Sequence, residues 1–440
     1  MSMVLKTNMD ATRTLNQMTA NRALAHKHLM KVSTGMKVRD AQDDASAYAI
    51  SERMRVRIRA LEQAHSNTQN GSNMMKTAEG AVANIVDALR TLKEKAINAA
   101  NDSNSDEDRR MIQREFDQLV DQIDEDALIT FNNKYLIDGT RNNALQTAKT
   151  ILLNRDLSAD TAADTAFTAL KNRAGDSLEI ASTDYYQVSW VMNGTLSTAS
   201  GQVGTHTLTD VFHKDDLFDV QATVDGQIVN ETNKFGNVIY TPDKAQGIII
   251  SSLGTDADEI KNQISGFAIS IMDSEGNVKK IANAALDKFK QYQRAENQTG
   301  DMALSFHVGA DANFATKFAL TDMRTRALGL KGSDDNIISI STKEDANAAI
   351  NVLDNVLTKV LDQQSDIGSA IARMERTATN LTTSYTDDQA SESVIRDADM
   401  ATEMAGYLKY NVLSQASQAM LAQANQNPMD VLALIGNLGE

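Results

Sequence analysis

Apolar side chains recur at alternating three- and four-residue steps along two long stretches, one towards each end of the chain, and lose that period in the middle. The first stretch passes through Ala47, Ile50, Met54, Arg57, Leu61, Ala64, Thr68, Gly71, Met75, Ala78, Val82, Ile85, Leu89, Leu92, Ala96 and Ala99. The second passes through Ile350, Leu353, Leu357, Val360, Gln364, Ile367, Ile371, Met374, Ala378, Leu381 and Tyr385. A repeat of about 3.5 residues draws a seam down one side of an α-helix, and such a seam needs a facing helix. The first seam predicts a helix about 80 Å long at about 1.5 Å per residue, well beyond an ordinary globular helix. A rod of paired helices is expected.

Local punctuation adds the remaining elements. A first helix is expected from about Leu5 to Thr34, with Leu15, Met18, Ala25, Leu29 and Val32 on one face. Gly35 ends it, and Gly35 to Asp40 reads as a connector. The long helix begins near Asp43 and stops at the turn formers Asn101 to Ser105. Ser105 and Asp108 have capping spacing for a third helix, whose face is Ile112, Phe116, Leu119 and Ile123. Leu128 to Gly139 reads as short extended structure with a turn.

From about Asp176 to Gly300 the pattern becomes β-like. Tyr186, Val188 and Trp190 alternate ahead of Asn193-Gly194, a strong hairpin signal. Val224-Asp225-Gly226-Gln-Ile228 gives a second such turn, and Phe267 to Ile271 followed by Glu275-Gly276 a third. Trp190, the only tryptophan, is expected in the core of this part. β character persists through Leu304 to Phe318. Ser341 and Glu344 then have capping-box spacing in front of the second heptad run, and Tyr385-Thr-Asp-Asp388 is expected to break it. A last helix follows, with Val394, Ala398, Ala401, Ala405, Leu408, Val412, Ala419 and Ala422 on one seam. Alanines bury little area each, so this helix is marginal alone and is expected to find its partners in other copies of the chain.

The 440 residues exceed one typical domain, so two or three are expected. No apolar run reaches the length of a membrane span. Met1 to Asp10 lacks the apolar core and cleavage site of a secretory signal. Cysteine is absent, which excludes disulfides and thiolate metal sites. The net charge of −16 is uneven, since residues 1–60 hold eleven Lys/Arg against five Asp/Glu. Arg53, Arg55, Arg57 and Arg59 form the sharpest basic cluster, but no aromatic side chains interleave to stack on bases, so a helix surface facing solvent or a partner is the better reading than a nucleic-acid site.

Catalytic chemistry has little support. His26, His28, His65, His206, His213 and His307 include no HExxH pattern, and no phosphate loop, dinucleotide fingerprint or nucleophile elbow occurs. Asp43-Asp44 resembles an acid/base dyad, but adjacent carboxylates at a helix start read better as capping groups. No catalytic residue, metal site or cofactor is expected.

The two ends nevertheless carry a specific resemblance. Leu29 to Gly35, Asp43-Asp44-Ala45, Ala49-Ile50-Ser51 with Arg53-Met54-Arg55, Gln69-Asn70-Gly71 and Thr77 to Ala81 are similar to the N-terminal part of bacterial flagellins. Phe131 to Gly139 resembles the family's "FNGKKLLDG", and Leu304 to Ala310 with Asp322-Met323-Arg324 and Ala327 to Leu330 resembles its paired β segment. Ile395 to Met404 and Met420 to Gln426, followed by Pro428 and Val431-Leu432, resemble its C-terminal part. The likeness covers roughly residues 1–140 and 301–435.

The resemblance implies a mainly α fold of long antiparallel coiled-coil helices from both chain ends, with a β-rich outer domain inserted between them. It implies a terminal assembly domain from 1–42 with 395–440, a helical rod domain from 43–175 with 301–394, and the variable outer domain 176–300. The implied function is that of a subunit polymerising into the bacterial flagellar filament, secreted without a cleaved signal. Its expected partners are further copies of itself, the flagellar export apparatus, an export chaperone, and the filament cap and junction proteins. The expected assembly seam sets Leu15, Leu29 and Val32 against Leu408, Val412, Ala419 and Ala422. Arg90, Glu94 and Glu115 mark the region read by the Toll-like receptor for flagellin. Glu94 and Glu115 match the receptor-stimulating pattern, but Thr91 and Lys95 stand where it has Arg and Leu, which leaves recognition open. The tail also departs from the family, because Val431 to Ile435 is followed by Gly436-Asn-Leu-Gly-Glu440. Two alternatives stay open: a hook–filament junction protein, and a filament subunit with an adhesive outer domain.

Overall fold

The computed structural model describes residues 8–142, 150–212, 218–223, 227–232, 238–240, 246–252, 264–293, 302–332 and 334–436. They belong to two compact units, the first from 1–67, 307–314 and 377–440 and the second from 68–306 and 315–376. The expected helix start at Leu5, the turn at Val224 to Gly226 and the tail beyond Gly436 lie outside the described residues.

The first unit contains the terminal helices α1 (Met9–Thr34) and, as the last helix of the chain, α8 (Met400–Gly436). It also holds the start of α2 (Ala45–Ala99) and the end of α7 (Lys343–Arg396). Gly35 stops α1 in the left-handed region, φ 71°, where its N–H reaches the Lys31 carbonyl. Asp44 caps α2 by accepting from the N–H groups of Ser46 and Ala47. Asp43 belongs to the connector instead, where it accepts from the Arg39 N–H and pairs with Lys27. Two of the clustered arginines face α7, with Arg55 4.0 Å from Glu392 and Arg57 3.0 Å from Asp388. The local basic charge is thus met by carboxylates of the same unit. Beside these pairs Leu61 and Ala64 pack with Leu381, Ala310 and Tyr385.

Two expectations about α7 are corrected. The helix is not broken at Tyr385–Asp388 but runs on to Arg396. No Gly or Pro interrupts this stretch, Thr386 bonds back to the Thr383 carbonyl, and Tyr385 is anchored on Leu61 and Ala64, so the turn propensity of Thr and Asp is overridden. Its cap is Thr342, which accepts from the Asp345 N–H one residue later than the Ser341–Glu344 spacing suggested.

In the second unit the heptad seams are buried as the spacing predicts. Met75, Ala78, Val82, Ile85, Leu89, Leu92, Ala96 and Ala99 of α2 share one core with Leu353, Val360, Ile367, Ile371 and Met374 of α7. The helix α3 (Asp106–Ala127) adds Phe116, Val120 and Ile123 and begins with a full Ser105–Asp108 capping box. Arg109 of α3, which the pattern did not single out, is buried and donates to the carbonyls of Ala99 and Asn101, closing the turn between α2 and α3. After α3 come the short pair β1 (Thr130–Phe131) and β2 (Lys134–Tyr135), turned by Asn132 and Asn133 at positive φ.

The β-rich part starts earlier than position 176. The strand β3 (Ile151–Asn154) already lies in it, and Leu152, Leu157, Phe167 and Leu170 share a core with Trp190, Phe212 and Phe267. Only four residues of β3 are apolar-rich, too short a run for periodicity to separate from loop. One antiparallel sheet has the order β10 (Ile264–Met272), β4 (Tyr185–Met192), β5 (Thr195–Gln202), with Asn193-Gly194 at φ 53° and 75° forming the expected tight turn. A second has the order β11 (Lys290–Gln293), β3, β9 (Ile248–Ser252), β6 (Phe218–Ala222). Two short helices, α4 (Leu208–Phe212) and α5 (Lys280–Leu286), interrupt the expected all-β pattern; with α5, Phe289 supplies ring contacts to Phe212 and Phe267 at 5.9 and 5.4 Å.

This β-rich part is fastened to α7. Gly266 of β10 lies so close that a Cβ would meet a Val352 methyl at 2.4 Å. Asn351 donates to the Phe267 carbonyl and to Asp287, whose carboxyl also accepts from the Ile269 N–H. Burial pushes the Asp287 carboxyl up to about 6, against these two hydrogen bonds.

Candidate assembly interface

The pairing of the two chain ends is set by which side chains they turn towards each other. α1 and α8 run antiparallel: Asn8 at the start of α1 donates to the Ala424 carbonyl, Asn21 donates to the Ser417 hydroxyl at 3.2 Å, and His28 meets Glu403 near the start of α8. On α1 the covered positions are Thr14, Met18, Asn21, Ala25, His28 and Val32. On α8 they are Glu403, Tyr407, Tyr410, Ser414, Ser417, Leu421 and Ala424. Both sets step by three and four, so the two helices meet along heptad seams. These seams are dominated by polar and small residues. Lys31 joins Glu403 at 3.5 Å, and the His28 ring stacks on Tyr410 at 5.4 Å. Gly406 makes that stack possible, since a Cβ there would sit 2.8 Å from the imidazole.

The apolar residues point the other way. Leu15 and Leu29 are 46% and 43% exposed, Leu408 and Val412 55% and 62%. Ala401, Ala405, Ala419 and Ala422 are exposed on the same helix. Within one chain, therefore, Leu15 and Leu29 do not meet Leu408 and Val412. Of the expected seam residues, only Val32 lies on the covered side. Val394 belongs to α7 and is exposed, not on the face of the last helix. The expectation that the chain ends lack partners in a single copy is corrected too, because a polar seam joins them. Its signal was present in the sequence as a 3.5 repeat of Thr14, Met18, Asn21, Ala25, His28 and Val32, masked by the larger leucines beside it.

Between these elements the two connectors clasp each other. Lys37 and Val38 donate to the Arg396 carbonyl, Ala398 donates to the Gly35 carbonyl, and Met36 bridges Asp397. Arg396 is buried, donates to Glu52 at 2.7 Å and to Ser51 at 3.4 Å, and lies over the Tyr48 ring at 5.7 Å. The Arg396 guanidinium holds the Glu52 carboxyl below the usual carboxylate range, with Arg55 assisting, against the partial desolvation of the group. Asp399 then caps α8 through the N–H groups of Ala401 and Thr402, and its own acidity is raised foremost by the Thr402 hydroxyl.

Elsewhere, in the second unit, Arg90 and Glu94 are exposed on α2 and Glu115 on α3. Arg90 pairs with Asp87 at 2.8 Å, and Lys95 engages Glu115 at 2.7 Å.

The chain thus pairs helices from its two ends, turns an apolar side of them to solvent, and carries a β-rich part inserted between them in the sequence. Residues 5–142 match the bacterial flagellin N-terminal helical region and residues 350–435 the bacterial flagellin C-terminal helical region. The flagellin of Clostridium tyrobutyricum is 31% identical, covering 96% of this chain and 99% of the relative. That of Bacillus subtilis is 28% identical, covering 97% and 98%. Among solved structures, the flagellar hook associated protein-3 of Legionella pneumophila aligns over 77% of this chain and 97% of its own at 14% identity, with a TM-score of 0.34. The chain belongs to the bacterial flagellin family, whose members are structural proteins.

Proposed function

We propose that this chain is a flagellar filament subunit that folds first, through the polar seam of its terminal helices, and polymerises second, through the apolar side those helices leave uncovered. The single observation that carries this reading is the outward placement of Leu15, Leu29, Leu408 and Val412 on a helix pair that is already satisfied within the chain. Apolar residues left in water on one side of a helix pair are covered when copies pack, and the exposed alanines let neighbouring helices approach closely.

In this reading 1–42 with 395–440 lines the inner tube of the filament. The rod domain, cut back from 43–175 to 43–149 with 301–394, surrounds it, and the β-rich part, widened from 176–300 to 150–300, faces solvent. The chain is exported from the cell and meets the export apparatus, a chaperone, and the junction and cap proteins on its way to the filament tip. The Toll-like receptor for flagellin would read the surface of Arg90, Glu94 and Glu115; here Lys95 already engages Glu115, so weak recognition is expected.

Salting out purified protein and imaging it by electron microscopy tests the function. Filaments of uniform diameter are expected. Folded protein that yields only monomer or amorphous precipitate overturns it.

A further inference from the structure

Methionine is used in two ways in this chain. In the second unit Met74, Met75, Met323 and Met374 fill the core. On the terminal helices Met18 is covered, but Met9 and Met30 on α1 and Met400, Met404, Met420 and Met429 on α8 are exposed to solvent, by 53%, 36%, 45%, 40%, 63% and 70%. On α8 Met404 lies one turn before Leu408 and Met429 three heptads after it, and on α1 Met9 and Met30 are likewise three heptads apart. Their thioethers are in water in the free subunit, and neighbouring copies that cover the terminal helices take them out of it.

We propose that these six methionines are oxidation sites in the free subunit, and that their sulfoxides block polymerisation; the inference rests on the assembly reading above. The co-reactant is hydrogen peroxide. A lone pair on the methionine Sδ attacks the terminal peroxide oxygen, the S–O bond forms as the O–O bond breaks, and the departing hydroxide takes the hydroperoxide proton and leaves as water. Sulfur is oxidised by two electrons and the peroxide is reduced. The product replaces a flexible apolar side chain by a polar, chiral one. A sulfoxide costs nothing on an exposed helix face but must lose its hydration when a neighbouring helix covers it. The core methionines are shielded by packing, and the other exposed ones, Met111 and Met302 of the second unit, lie off the terminal helices, so oxidant at moderate dose leaves the core of the second unit intact. Because the step is reversible by thiol-dependent sulfoxide reduction, it is a switch on assembly competence and not a terminal lesion.

The test treats monomer with hydrogen peroxide, quantifies sulfoxide at each methionine by peptide mass spectrometry, and then salts the protein out. Met9, Met30, Met400, Met404, Met420 and Met429 are expected to oxidise at least about tenfold faster than Met75 and Met323. The oxidised parent is expected to lose filament formation while keeping its helical circular dichroism, and the M9L/M30L/M400L/M404L/M420L/M429L variant to polymerise with or without peroxide. An oxidised parent that polymerises like the untreated protein overturns the proposal, as does a variant that peroxide blocks as fully as the parent. Failure of the untreated parent to polymerise is separate, and overturns the assembly reading itself.

Discussion

Replacing Leu408 and Val412 together by Asp leaves a soluble, helical subunit that forms no filaments. In the free chain both side chains are more than half exposed, so the carboxylates stay hydrated there. The folded subunit loses only helix propensity, about 0.5 kcal/mol per position. The seam to α1 is untouched, because it is made by Glu403, Tyr410, Ser417 and their partners on the opposite side of the helix. In a filament the same two positions are covered by neighbouring helices, and burying an unpaired carboxylate costs several kcal/mol. With about 1.4 kcal/mol per tenfold in an equilibrium constant, even about 3 kcal/mol per subunit raises the critical concentration roughly a hundredfold. Sedimentation of salted-out protein measures this against the parent. Equal critical concentrations for the double variant and the parent would place the assembly contact elsewhere.

Removing the guanidinium of Arg396 loosens the clasp between the two connectors. Arg396→Leu deletes a charge-assisted hydrogen bond to Glu52, a weaker one to Ser51 and the contact with the Tyr48 ring. Charge-assisted bonds contribute about 1.5–3 kcal/mol each, and a partly desolvated cation–π contact adds about 1. Glu52 keeps Arg55 and is partly solvated, so the substitution does not strand a buried charge. The expected loss is therefore about 2–3 kcal/mol of local stability. It is read at the amides of Lys37 and Val38, which donate to the Arg396 carbonyl. Their hydrogen exchange should accelerate on the order of a hundredfold, with Arg396→Lys restoring part of the protection. Unchanged exchange at both amides would mean that backbone bonds alone hold the connectors.

Much of this fold could be read from spacing alone. From Leu61 onward the seams of α2 and α7 bury most of the residues the repeat named, because large apolar side chains at 3.5 spacing pack on a facing helix, whereas Ile50 at the start of the α2 seam is exposed. The Ser105–Asp108 box and the Asn193-Gly194 turn likewise follow from local chemistry. What escaped was tertiary. Turn-forming Thr386, Asp387 and Asp388 continue α7 because Tyr385 is anchored beside them, and propensity is too weak to outweigh that. β3 was invisible because four residues carry too little period. The interface was half legible. Leu408 and Val412 stood out as apolar on a small-residue helix, but hydrophobicity cannot say whether such a face packs within a chain or between chains. The deciding information was the polar repeat containing Asn21, His28 and Glu403, which fixes the inward side and so leaves the leucines outside.

The absence of cysteine allows the central claim to be tested at one atom. In a Val412→Cys variant the introduced thiol is unique, and the side chain it replaces is 62% exposed in the free chain. Maleimide labelling of this variant should be fast in the monomer and at least about tenfold slower in filaments grown from the same preparation. A thiol that reacts in the filament as fast as in the monomer would contradict burial of the outward face of α8 between subunits.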